Sequence, residues 1–309
     1  MIINQIITFP GGKTYGTGRL KDWRREKDFH EHTERRLKSG KSVSIPSILQ
    51  NVGGLFSKKS IPADTFNKQF LPPIVDQGLR GSCTGRTMYY DVGYNVKRAY
   101  GKEFLMSALA NYKFSRWLQG IKGDGGSTGS GASEALRLCG AVPLKYHHDD
   151  NERFDEELSA MELAVADNYE VSWFRLDAYG ESSDRKVLLA KIKQYLAAGL
   201  LVRAAVCVKT SFEKGDSPGA VPCPVMWETT LGWHEILLTD IHSNMVITNT
   251  ANNVKTVGAI EFPNSWGVNW GVNGFGFLSD EIILHPEYST DFTVITGMDW
   301  VGTGNFRIE

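Results

Sequence analysis

A change of hydrophobic period along the chain constrains the fold most. Between about Cys83 and Val142 the apolar residues recur at helical spacing. Met88, Val92, Val96 and Ala99 follow intervals of 4, 4 and 3 and share one face. Further helices are expected over residues 107–118 and 133–139, the second ended by Gly140. Beyond about residue 200 the pattern turns to short runs rich in Val, Ile and Phe, bounded by Gly, Asn and Pro. These predict strands at 201–208, 235–241, 259–263, 274–278 and 292–296. Helices first and strands later describe an α+β protein of two lobes, with the cleft between them as the place for a ligand.

Residues 1–60 are of another character. They carry 12 Lys and Arg against 5 Asp and Glu, although the whole chain has a formal net charge of −1. A basic leader on an acidic body reads as an arm or pro-segment, with a charged helix expected over about 22–37 that only Trp23, Phe29 and Leu37 could anchor. The body divides near residue 175, giving a helical lobe at 61–175 and a β lobe at 176–309. The balanced total charge points to neither nucleic acid nor a membrane as partner. No run of about 18 apolar residues is present, and the first residues lack the positive region and apolar core of a signal peptide. Four cysteines, Cys83, Cys139, Cys207 and Cys223, include no C-x-x-C pair and suit neither a disulfide framework nor a structural zinc site. A reducing compartment such as the cytoplasm is the simpler expectation, and no metal or other cofactor is implied.

Three separated motifs carry the chemistry. Gln77-Gly-Leu-Arg-Gly-Ser-Cys83 runs directly into the first helical pattern, and a cysteine at a helix N-terminus sits where the macrodipole favours thiolate. Gly-Trp-His234-Glu235 opens a strand 151 residues later, and Asn264-Ser-Trp266-Gly-Val-Asn-Trp270-Gly-Val-Asn-Gly274 follows 30 residues after that. Cys and His in this order offer a nucleophile and its base, and an Asn can fix the imidazole tautomer without adding charge.

Gln-Gly-x-x-Gly-Ser-Cys and Asn-Ser-Trp-Gly-x-x-Trp-Gly-x-x-Gly resemble the papain-like (C1-type) cysteine peptidases over residues 61 to about 280. The resemblance implies the papain-like two-lobe fold, with a helical left lobe, an antiparallel β-barrel-like right lobe and the active-site cleft between them. It implies an endopeptidase acting on protein or peptide substrates, with Cys83 as nucleophile, His234 as base, Asn264 as orienter of the base and Gln77 as an oxyanion donor. Gly123-Asp-Gly125-Gly126 resembles the family's Cys-Asn-Gly-Gly, whose last glycine offers its backbone to an extended substrate. Gly125, Gly126, Glu235 and Trp266 are thereby the substrate-binding candidates, Trp266 shielding the His–Asn bond.

The departures are informative. Thr84 replaces the tryptophan that normally follows the nucleophile, and Arg80 and Gly123 stand where the family has a disulfide, so packing alone is expected to hold that lobe. Glu235 replaces a small residue near the pocket for the second side chain before the cut. There it would favour Lys or Arg, or else it is turned to solvent or paired with Arg203. Ile61-Pro-Ala-Asp64 resembles the start of a mature chain, so residues 1–60 are either a pro-segment that occupies the cleft in reverse or a basic arm for a protein partner in a larger assembly. A catalytically silent papain-like module and a related amidase or transpeptidase are the alternative functions.

Overall fold

A computed structural model describes residues 6–9, 11–20, 61–167, 169–177, 184–225 and 227–300. The expected helix at 22–37 lies outside the described residues.

Helix α1 (Cys83–Tyr100) is the spine of the helical half. Its first fourteen residues are buried, including the Met88–Val92–Val96 stripe, and the chain leaves it through Gly101 at φ 65. Helix α2 (Ala108–Leu118) is capped by the Ser107 hydroxyl, which accepts from the Ala110 N–H, and α3 (Gly129–Cys139) by Thr128, which accepts from Gly131. Helix α3 begins four residues before its apolar pattern does, because a glycine-rich turn hides the start. A short α4 (Ala160–Ala166) was invisible to periodicity, yet it carries a complete Ser159–Glu162 capping box.

Two four-stranded sheets build the other half. One orders β3 (Tyr169–Arg175), β10 (Ser289–Trp300), β4 (Val202–Lys209) and β6 (Thr230–Leu238), all antiparallel. The other orders β5 (Ala220–Val221), β9 (Phe275–Ser279), β8 (Val254–Pro263) and β7 (Asp240–Asn249), with only β5–β9 parallel. The chain switches sheets at Thr239, between β6 and β7. The expected run 235–241 therefore spans the end of one strand and the start of another. Helix α5 (Arg185–Ala198) and the short α6 (Asp280–Leu284) complete the order. Among the described residues no helix is long and apolar enough to cross a membrane.

Strand β3 was expected in the helical lobe but is the edge of the first sheet, paired with β10 from Arg175–Thr293 onward. Part of the segment expected to be an arm or pro-segment packs on the body. Strands β1 (Ile6–Thr8) and β2 (Thr14–Gly16) form a hairpin whose Ile7 and Phe9 are buried in the main core. A buried pair, Arg203 Nε 3.1 Å from Asp91, joins β4 to α1. Arg203 is thus not the partner of Glu235, although its charge is felt there.

Candidate active site

Cys83 is the first residue of α1 and His234 lies mid-strand in β6, both fully buried. Asn264 follows β8 directly, and its Oδ1 lies 2.8 Å from His234 Nε2. The other ring nitrogen, Nδ1, is buried with no hydrogen-bond partner among the described residues. The Asn264 Oδ1 also accepts from the Ser265 N–H at 2.8 Å, which fixes the side chain so that its oxygen faces the ring. The backbone N–H of Glu235, next to His234, points at the Cys83 sulfur. Trp266, 5% exposed, lies against His234 with ring centroids 4.8 Å apart and covers the His–Asn bond.

Gln77 is clamped from three sides. Its N–H donates to the Ser265 carbonyl at 2.9 Å, its Nε2 donates to the Arg80 carbonyl at 2.6 Å, and its Oε1 accepts from the Ser265 hydroxyl at 2.5 Å. Nε2 keeps one N–H beyond the Arg80 bond. Ser265 escaped the sequence reading, although its place between Asn264 and Trp266 was in plain view.

The departures find their partners. Thr84 Oγ1 meets Ser127 Oγ at 2.5 Å, so a hydroxyl pair ties the Cys83 turn to the glycine-rich loop. Where a disulfide was expected to be missing with only packing in its place, Asp124 Oδ1 accepts from the Gly81 N–H at 3.0 Å and from Tyr112 Oη at 2.7 Å. Arg80 stacks on Phe154 at 4.7 Å and donates to the Asn151 carbonyl.

The cleft is filled by the chain's own N-terminus. Tyr15 stacks on Trp266 at 4.3 Å, and Trp266 Nε1 donates to the Gly16 carbonyl. Ser127 donates to the Gly18 carbonyl and accepts from Leu20, both at 2.8 Å, which aligns Arg19 parallel to Ser127. The glycine-rich loop thus offers the backbone of Ser127 to an extended chain. The N–H of Gly126 is taken by Tyr112 Oη at 3.0 Å, and a side chain at Gly126 would strike the Gly18 carbonyl. Gly125 is glycine because a Cβ would meet Ile121 at 2.4 Å.

Glu235 is buried, not turned to solvent, and its Oε2 accepts from Arg19 Nε at 3.0 Å. Asp291 pairs with the same guanidinium. Neither Arg19 nor Asp291 carried a local sequence signal, since Arg19 lies 216 residues from Glu235 and Asp291 further still along the chain.

Burial governs the titration of the site. It pushes the Cys83 thiol from an ordinary 9.0 up to about 12, against the pull of the Glu235 and Thr84 N–H groups and of Arg19. That rise corresponds to about 4 kcal/mol, whereas a helix N-terminus contributes about 0.3–1 kcal/mol. Burial wins. It also lowers His234 to about 4, with the Asn264 bond pulling upward. With the strand in place burial works against charge on both the thiol and the imidazole.

No family model matches the chain. An uncharacterized peptidase C1-like protein of Acanthamoeba polyphaga mimivirus is 27% identical over 236 residues, 72% of this chain and 68% of the viral protein. Xylellain, a cysteine protease from Xylella fastidiosa, has a TM-score of 0.66 at 20% identity, covering 92% of this chain and 96% of its own. Digestive procathepsin L 3 of Tenebrio molitor larval midgut has a TM-score of 0.58 at 15% identity, covering 87% of this chain and 88% of its own.

Proposed function

We propose that this chain, which has the papain-like fold and is a relative of the C1-type cysteine peptidases, hydrolyses peptide bonds as a cysteine endopeptidase kept shut by Tyr15–Leu20. The observation that carries this reading is the His234 ring, held by Asn264 at 2.8 Å with its other nitrogen left unpartnered beside the Cys83 turn.

In the opened site Cys83 gives its proton to His234 Nδ1, and the thiolate attacks the substrate carbonyl carbon. The oxyanion takes hydrogen bonds from the spare Gln77 Nε2–H and from the Cys83 backbone N–H, which has no intrahelical partner in the first turn. The imidazolium then protonates the leaving amine as the C–N bond breaks, and a thioester remains. His234 next draws a proton from water, whose oxygen displaces the sulfur and releases the acid. Asn264 holds the ring through both proton transfers.

An alkylating epoxide probe tests the reading. In a chain whose N-terminal strand has been displaced, Cys83 should be modified faster than Cys139, Cys207 or Cys223. Equal rates would exclude an activated thiol. A silent module is the second reading, and the plugged cleft with its buried thiol favours it. The same labelling separates the two, because a silent module stays unreactive after opening.

Two smaller predictions arise here. Ser265→Ala removes the hydroxyl that holds Gln77 Oε1 and should lower kcat by about 3- to 10-fold with little change in KM, the worth of one buried hydrogen bond. A change in KM alone would place Ser265 outside oxyanion binding.

The second prediction concerns acidity. A base lowered to about 4 by burial favours the closed state fully above the free imidazole's value near 6.5 and loses that contribution as pH falls toward 4, by about 3 kcal/mol. Glu235 works against this, because burial holds its carboxyl above the ordinary range in the closed site and hydration on opening releases it; the imidazole carries the prediction. Acid should therefore open the cleft. Hydrogen exchange at the Leu20 amide, which is bonded to Ser127, should be faster at pH 4.5 than at pH 7 after correction for intrinsic rates. Undiminished protection at pH 4.5 would refute it.

A further inference from the structure

We infer that Glu235 and Asp291 form a guanidinium pocket that selects arginine in the substrate, with Arg19 as the built-in occupant that a substrate arginine replaces. The inference rests on the peptidase reading for its substrate, but the buried ion-pair cluster around Arg19 is observed. Arg19, Glu235 and Asp291 are all essentially closed to solvent. Glu235 engages the guanidinium at Nε and Asp291 at an Nη, so two carboxylates grip separate edges of one planar fork. A lysine ammonium is a point charge and cannot span them in this way.

Each carboxylate is built into place. Glu235 lies against the start of α3, where a Cβ on Gly129 would sit 2.6 Å from its Oε1 and push the carboxylate from its place. It sits at the positive end of that helix, which favours the charged form. Asp291 adopts φ 57, rare for a residue other than glycine, where the β10–β4 register shifts between Thr290 and Thr293. The bulge aims its carboxylate into the pocket, while its own N–H is held by Asp177 at 3.0 Å. Arg175 braces Asp291 at 2.6 Å and Asp177 at 2.7 Å. With Arg19 present, Glu235, Asp291 and Asp177 face Arg19, Arg175 and Arg185, with the Arg203–Asp91 pair close by. Without Arg19 the buried cluster loses one cation and keeps all its carboxylates. Buried charge left in that state is strongly unfavourable, so the vacated pocket calls for another cation. The backbone of an extended substrate lying along Ser127, as Arg19 does, would present its side chain there.

The test uses the full chain opened by Gly18→Val and a fluorogenic peptide library with Arg, Lys, Leu or Gln at each position before the cut. We expect one position to favour Arg over both Lys and Leu. Glu235→Gln should lower the Arg-over-Leu ratio of kcat/KM by roughly 30-fold, as for truncating one partner of a buried charge pair. Cleavage with no arginine preference would overturn the pocket and leave the peptidase reading standing. If no peptide is cut, the peptidase reading fails and a binding measurement judges the pocket. In full-length Arg19→Ala/Cys83→Ala protein, methylguanidinium should raise Tm more than methylammonium, and Asp291→Asn should abolish the difference. Equal effects of the two cations would overturn the inference.

Discussion

Replacing Cys83 by Ala is expected to reduce peptide hydrolysis by at least about 10⁴-fold, the scale set by removing the nucleophile of such a constellation. The substitution deletes one buried sulfur at the start of α1, where alanine is a good helix former, so the fold should persist. His234, Asn264 and Gln77 would keep their mutual hydrogen bonds, because none of these involves the thiol. What is lost is the covalent step. The oxyanion donors and the bound substrate remain, and they alone leave a slow attack by water. The measurement is kcat/KM on a fluorogenic peptide, comparing Gly18→Val with Gly18→Val/Cys83→Ala and checking both by circular dichroism. Activity within tenfold of the parent would remove Cys83 from the mechanism. It would also point to a contaminant or to a different group on the same scaffold.

Gly18→Val in the intact chain should raise peptide hydrolysis between about 10²- and 10³-fold. The closing strand crosses the nucleophile's turn with backbone against backbone. A Cβ on Gly18 would fall 2.2 Å from the Gly81 carbonyl oxygen and 2.3 Å from its Cα. No rotamer change relieves such an overlap, so one of the two chains must move. Gly81 is tied to Asp124, next to the buried Tyr112, whereas the strand is held chiefly at Ser127, Glu235, Asp291 and Trp266. Overpacking of this kind costs roughly 3 to 4 kcal/mol at its upper end, and that shift in the closed–open balance converts to the stated range. Displacement would also let water reach Cys83 and His234, relaxing the burial that works against charge on both. Progress curves on the purified variant, with Trp266 fluorescence reporting the loss of Tyr15 stacking, give the readout. Rapid hydrolysis by the unaltered chain would mean that the strand is not a barrier.

The groups that act through local geometry were legible in the sequence. The α1 stripe follows from spacing, and Asn264 meets His234 because strands β6 and β8 bring short, patterned segments together. The capping box at Ser159 was readable in principle, but α4 is too short for periodicity to expose it. Strand β3 was hidden because its place at a sheet edge depends on β10, more than a hundred residues away. The same distance hid the meaning of Glu235. Its neighbours in sequence say that a carboxylate follows the histidine, but not that Arg19 and Asp291 converge on it. Asp291 offers no sequence signal at all, since its role depends on a positive φ at a bulge. Ser127 displaced Gly126 as the backbone partner because Tyr112 reaches the glycine's N–H first.

The Asp124 clasp has a practical side. Cysteine nucleophiles are handled in the presence of thiols, which keep the sulfur from oxidising but also unpick any cystine that braces the surrounding loops. In this chain the brace around Gly81 is a carboxylate accepting from an amide and a phenol, and all four cysteines are free. A thiol reagent therefore has no cystine to attack in the scaffold around Cys83.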